Sequence, residues 1–126
     1  MKICMVLPHF HPYVGGAEKM FYDLARGIVE RGHELRVVTQ DTGTGRRGHF
    51  RIRLRGDKWM DVWYCHWREF FGHPLPRTGD IEPHIRWADV VHTSTFTPSP
   101  PVSRLCAKYG KPGILTVHEV HGLKWY

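Results

Sequence analysis

The fold is decided by Lys2–Thr39, KICMVLPHFHPYVGGAEKMFYDLARGIVERGHELRVVT. The stretch opens on a short, nearly all-apolar run, Lys2 to Leu7, of the kind that makes a strand buried on both faces of a parallel sheet. Pro8 to Gly16 is a loop rich in Pro, His and Gly. Ala17, Met20, Phe21, Leu24 and Ile28 then recur at helical spacing, which predicts a helix with these residues as its core-facing stripe. Arg31 falls in the last turn, and Gly32 supplies a left-handed stop. Leu35 to Thr39 is rich in β-branched residues and follows at once. Strand, helix and strand so closely spaced make a βαβ unit with a right-handed crossover.

Working outward, Gln40 to Gly48 is a turn-rich break, after which the period changes. Phe50, Ile52 and Leu54 alternate with Arg51, Arg53 and Arg55, a strand with one wet face. Gly56-Asp57 reads as a turn, and Met60 to Trp67 as the aromatic-rich partner of a hairpin. His73 to Pro83 reads as a loop, with Asp80 as the cap of a short helix ending at Trp87. Ala88 to His92 is a further buried strand, and Thr93 to Pro101 a polar loop. Pro101 opens a helix through Tyr109, stopped by Gly110. Gly113 to Val117 is the last strand, and His118 to Tyr126 a loop. The expected fold is α/β: a Rossmann-like, doubly wound, mostly parallel sheet with helices on both faces and an added β-hairpin. At 126 residues this is one domain.

Composition narrows the classes. Hydrophobic residues make up 41% of the chain, enough for a core, and no run of 18 uncharged apolar residues exists to cross a membrane as a helix. The opening residues carry one charge and a short apolar run before Pro8, unlike a signal peptide. Cys4, Cys65 and Cys106 are odd in number and scattered, which argues against a disulfide framework and for a reducing, cytoplasmic compartment. The net charge is +6, and its surplus is local: Arg46, Arg47, Arg51, Arg53, Arg55 and Lys58 face only Asp57. Such a patch suits acidic lipid head groups or phosphorylated substrates, or is a solvated strand face. No nucleic-acid reading module accompanies it, so no nucleic acid is expected as a partner. Trp59, Trp63, Tyr64, Trp67, Phe70 and Phe71 are dense for so short a span. Core packing of the hairpin accounts for most of them; Trp67 to Phe71 also suits a membrane interface or a hydrophobic acceptor.

Gly43-Thr44-Gly45-Arg46-Arg47-Gly48 matches the dinucleotide fingerprint by letter. That fingerprint needs a helix to open inside it, and here an alternating strand follows, so the match reads as a turn. Gly15-Gly16 stands in the right setting, after a strand and before a helix. Its backbone allows a ligand to approach closely, and the free N–H groups of Ala17 and Glu18 would face an anion. His9, His11, His92 and His118, with Glu119 and His121, all fall near carboxyl ends of strands, where ligands bind in open α/β sheets. His118-Glu119-Val120-His121 lacks the spacing and the helix of a zinc motif, so no metal site is expected. A histidine that bonds a sugar hydroxyl or a phosphate, or moves a proton, fits better, and His118 is the foremost candidate. No Ser-His-Asp, Cys-His or paired-acid arrangement stands out.

Pro12-Tyr13-Val14-Gly15-Gly16-Ala17-Glu18, Arg31-Gly32-His33-Glu34-Leu35-Arg36-Val37-Val38-Thr39, Ala88-Asp89-Val90-Val91-His92 and Leu115-Thr116-Val117-His118-Glu119 together resemble the family 4 glycosyltransferases, retaining enzymes of the GT-B fold. The resemblance covers nearly the whole chain and is weakest from Gly43 to Arg86. It implies an N-terminal, acceptor-side domain facing a second Rossmann-like domain across a cleft. It implies donor-phosphate contact at Gly15, Gly16 and Ala17, and a catalytic His118 near the reacting sugar. His9, His11, His92, Ser94 and Glu119 would line the acceptor side; relatives often carry H-x-H where this chain has His92-Thr93-Ser94. It implies no cofactor or metal, with a nucleotide-sugar as co-substrate. The family's nucleotide-sugar domain has no counterpart in residues 1–126, so the chain alone is expected to be inactive. Three further expectations follow: a separate C-terminal partner chain, self-association as a homo-dimer through an uncovered sheet edge, and peripheral membrane contact through the basic face. A non-catalytic partner module and a basic membrane-surface binder are the alternative functions.

Overall fold

The computed structural model describes residues 1–11, 16–94 and 98–116. The main sheet has six strands: β1 (Lys2–Leu7), β2 (Glu34–Gln40), β3 (Gly48–Arg53), β4 (Trp59–Cys65), β7 (Val90–Ser94) and β8 (Gly113–Thr116), in the spatial order β3-β4-β2-β1-β7-β8. A separate small hairpin is made by β5 (Arg68–Phe70) and β6 (His73–Leu75). The helices are α1 (Gly16–Glu30), α2 (Thr78–Trp87) and α3 (Ser99–Tyr109). All neighbours in the main sheet are parallel except β3, which pairs antiparallel with β4 at the edge. Leaving out that edge strand, the parallel strands stand in the order third, second, first, fourth, fifth, the Rossmann arrangement.

The sheet is buried on both faces, as the apolar run of β1 requires. Cys4 to Leu7 are fully buried. Met5 and Leu7 point into a core with Phe21, Ala25 and Val29 of α1, while Cys4 and Val6 point into a second core with Ile81 and Ile85 of α2 and Val102 and Leu105 of α3. Period-2 alternation along one strand thus feeds two layers.

Several boundaries differ from the sequence expectation. The buried stripe of α1 is Phe21, Ala25 and Val29; Met20 and Leu24 face solvent at 39% and 40% exposure. Phe21 of the expected stripe is buried and Ile28 packs against the same core, so the helix face is turned toward Ala25 and Val29, which replace Met20 and Leu24. The basic strand ends at Arg53, and Arg55 opens a 3₁₀ turn to Asp57 that carries the chain into β4. The hairpin is as expected, but β4 also joins the main sheet by pairing parallel with β2. The segment read as a loop from His73 holds β6, and α2 starts at Thr78, so Asp80 lies in its first turn rather than at its cap. Strand β7 begins two residues late and runs to Ser94, which moves His92 from the strand's end to its interior. Helix α3 begins at Ser99 and takes in Pro100 and Pro101, both tolerated in a first turn whose N–H groups have no intrahelical acceptor.

Candidate functional site

The five parallel strands end on one edge, and the order reverses between β1 and β7. The connection from β1 leads to α1 on one face, and that from β7 leads to α3 on the other. Divergence of neighbouring connections leaves a crevice at the carboxyl ends, the usual place for a ligand in an open α/β sheet. Helix α1 begins at this edge, with Gly16 and Ala17 in its first turn.

His92 and Ser94 lie on the same face of β7, two residues apart. The His92 ring sits edge-on to Phe21 of α1, with centroids 5.6 Å apart, and its Nε2 is 2.6 Å from Thr116 Oγ1 at the end of β8. Ser94 is buried at the crevice end of the strand. Thr93, on the opposite face, donates its hydroxyl to the Val6 carbonyl at 2.9 Å, which locks β7 to β1 beside the crevice.

His9 and His11 follow β1 on the other side of the crevice. His9 Nδ1 lies 3.4 Å from Nε2 of Gln40, the buried last residue of β2. The His11 ring packs on Tyr22 at 5.4 Å, and its carbonyl accepts the Tyr64 hydroxyl. Arg46 Nη1 donates to the same hydroxyl at 3.1 Å. Burial, and secondarily the Arg46 charge, push the His11 pKa down, so its imidazole favours the neutral form. Burial also raises the Tyr64 pKa, against the opposing pull of Arg46. The structure therefore brings together His92, Ser94 and Thr116 on one side, and His9, His11, Gln40 and Tyr64 on the other. Gly15, His118 and Glu119 lie outside the described residues.

Thr116, Gln40, Arg46 and Tyr64 join the site without having been expected there. Thr116 stands in the T-V-H motif and Gln40 ends a strand, signals present in the sequence. The placement of Arg46 and Tyr64 depends on β4 joining the sheet. The Gly43–Gly48 segment is a turn: the Thr44 hydroxyl donates to the Asp41 carbonyl at 2.7 Å, Arg47 pairs with the Asp41 carboxylate at 2.9 Å, and β3 follows. The arginine stripe is tied to its own hairpin. Arg51 reaches Asp61 at 3.4 Å and lies over Trp59, and Arg53 reaches Asp57 at 3.6 Å.

Residues 14–126 match the family model described as Glycosyltransferase Family 4. The chain belongs to that family. A segment of 42 residues, 33% of this chain, is 44% identical to a Homo sapiens subunit of phosphatidylinositol N-acetylglucosaminyltransferase, of which it spans 9%. Among solved structures, sucrose-phosphate synthase from Thermosynechococcus elongatus superposes with a TM-score of 0.62 over 94% of this chain, at 14% identity. The chain spans 33% of that synthase. At such low identity the likeness speaks for the fold, and it agrees with the Rossmann-like sheet of a GT-B glycosyltransferase described above.

Proposed function

We propose that this chain is the acceptor-side domain of a retaining glycosyltransferase, which moves a sugar from a nucleotide-sugar donor to an acceptor without a metal ion or cofactor. The observation that carries this reading is that, in a chain of this family, the start of α1 and the ends of β1, β7 and β8 lie at one edge of the sheet, where the strand order reverses. In this reading Gly15, Gly16 and Ala17 approach the donor phosphates through backbone N–H groups. His118 is the catalytic residue beside the reacting sugar. His9, His11, His92, Ser94 and Glu119 line the acceptor side.

The donor site belongs to a second domain, from the same or a separate polypeptide, and the 126-residue chain alone is inactive. Incubated with nucleotide sugars and candidate acceptors, it is expected to transfer nothing, and steady turnover would overturn the reading. In the assembled enzyme, His118→Ala is expected to lower kcat by roughly 10²–10⁴-fold with little change in KM; unchanged kcat would remove His118 from its role. The working compartment is the cytoplasm. The exposed Ile114 and Leu115 of edge strand β8 are the surface through which two copies would associate, which sedimentation velocity tests.

A second reading is a non-catalytic module that docks a separate C-terminal half. The human relative is by its name one subunit of an enzyme, which favours this. Co-purification of a donor-binding polypeptide without turnover of the pair would support it over the enzyme reading.

A further inference from the structure

Between the end of β4 and the start of α2 the chain makes the β5–β6 hairpin, and beneath it lies a cavity of about 730 Å³. Arg68 of β5, Arg77 before α2 and Arg104 of α3 line it, with Asp80 the one acidic group among its lining residues. None of the three arginines has an ion-pair partner among the described residues. The remaining wall is largely apolar, with Phe70, Leu75, Pro100 and Pro101. Thr78 and Gly79, in the first turn of α2, also line the cavity, and their N–H groups and the Thr78 hydroxyl add donors to the three guanidinium groups.

At the hairpin tip Phe70 and Phe71 stand in water, 56% and 88% exposed, with ring centroids 4.7 Å apart. Phe70 pairs with His73, so the loop is two residues, Phe71 and Gly72. Both have positive φ, 49° and 79°, the signature of a type I′ turn. The first position of that turn favours Asn, Asp or Gly, and a bulky residue there is strained. Phe71 thus carries a conformational cost and leaves its ring uncovered, and neither serves this fold.

We propose that the hairpin and its cavity form a docking site for a phosphate-bearing lipid at a membrane surface. The phenyl rings of Phe70 and Phe71 enter the acyl boundary, and the arginines hold the anionic head group. A soluble phosphate would satisfy the arginines but gives the exposed rings no role, whereas a membrane interface accounts for both. The site is separate from the Arg51, Arg53 and Arg55 stripe, two of whose arginines are ion-paired within their hairpin. It stands independently of the sugar-transfer reading.

Flotation of the purified chain with phosphatidylcholine vesicles, with and without phosphatidylglycerol, tests it. Binding is expected to the anionic vesicles and to weaken with salt. Phe71→Asn suits the turn better, so the fold survives, and vesicle binding should fall about tenfold while Tm holds or rises. The triple change Arg68→Ser, Arg77→Ser and Arg104→Ser should abolish the preference for anionic lipid, and the pair Arg51→Ser and Arg53→Ser should leave it intact. The proposal is overturned if the chain does not bind vesicles, if Phe71→Asn binds as well as the parent, or if loss of Arg51 and Arg53 matters as much as the triple change. Full competition by glycerol 3-phosphate would assign the cavity to a soluble anion and equally overturn it.

Discussion

His92 Nε2 stands 2.6 Å from Thr116 Oγ1, and this bond ties β7 to β8 at the crevice end of the sheet. The two residues come from motifs 24 positions apart, D-V-V-H and T-V-H, and the parallel register places Thr116 beside Ser94, the second residue after His92 on the same face. Replacing Thr116 by Val keeps the shape and removes this bond to the imidazole. Thr116→Val is therefore expected to lower stability by about 1–2 kcal/mol and Thr116→Ser by much less, measured by urea denaturation. Equal stability of parent and Val variant would mean that the bond contributes nothing.

Helix α1 gives a second test, because two neighbouring stripes satisfy the same periodicity. Phe21 is buried at 2% exposure between the sheet and the helix, whereas Leu24 is 40% exposed. Phe21→Ala is expected to cost about 3–5 kcal/mol and Leu24→Ala within about 1 kcal/mol. Similar losses at the two sites would restore the stripe read from spacing alone.

That ambiguity marks how far the sequence is legible. Strand β1 and the β1–α1–β2 unit are plain because an unbroken apolar run and a glycine stop have few alternatives. The rotation of α1 is not, since Met20 and Leu24 are as apolar as the residues chosen. The β3–β4 hairpin is readable from the alternation of Phe50 to Arg55, yet nothing local tells that β4 pairs with β2, far back in the chain. The β5–β6 hairpin is hidden because Phe71-Gly72 lacks the usual turn residue. Of the crevice, the histidines are evident from their places after strands. Their partners Gln40, Tyr64 and Thr116 depend on which strands are neighbours.

Asp89 of the D-V-V motif has a structural part. Its carboxylate accepts the Lys2 N–H at 2.8 Å, and its own N–H donates to the Lys2 carbonyl at 2.7 Å, which fixes the start of β1 beside β7. Asp89→Ala is expected to destabilise the domain by about 1–3 kcal/mol, as loss of a charged acceptor does, and Asp89→Asn by less. A loss of activity without loss of stability in Asp89→Ala would point to the crevice instead.

His84 makes stability depend on pH. It is buried on α2, with Nδ1 3.4 Å from Arg36 Nη1 and its ring 4.5 Å from Trp63, and the Arg36 guanidinium lies over Trp63 and Trp87. Burial first, then the charges of Arg36 and His49, lower its pKa to about 4 from the usual 6.5. The unfolded chain therefore binds a proton between these values that the folded chain does not, and stability falls as pH drops from about 6.5 toward 4. The loss should be on the order of 2 kcal/mol, allowing for solvent at the ring. His84→Gln should flatten this part of the Tm-against-pH curve; an unchanged slope would assign it to other groups.

Gly27 offers a gain in place of a loss. It lies inside α1 with no positive φ, and a Cβ built there meets no atom within 4 Å. Its native role is thus neither a turn nor a close approach, and the flexibility it gives the unfolded chain is lost on folding. Gly27→Ala is expected to raise stability by about 0.5–1 kcal/mol, with the urea midpoint higher and the slope unchanged. Gly32 is the contrast. Its φ of +90° lets the chain leave α1 with the His33 N–H bonded back to the Ile28 carbonyl at 3.2 Å. Gly32→Ala should therefore destabilise by about 1 kcal/mol or more. If Gly27→Ala also destabilises, the surface of α1 at that position is covered, and the covering partner becomes the object to find.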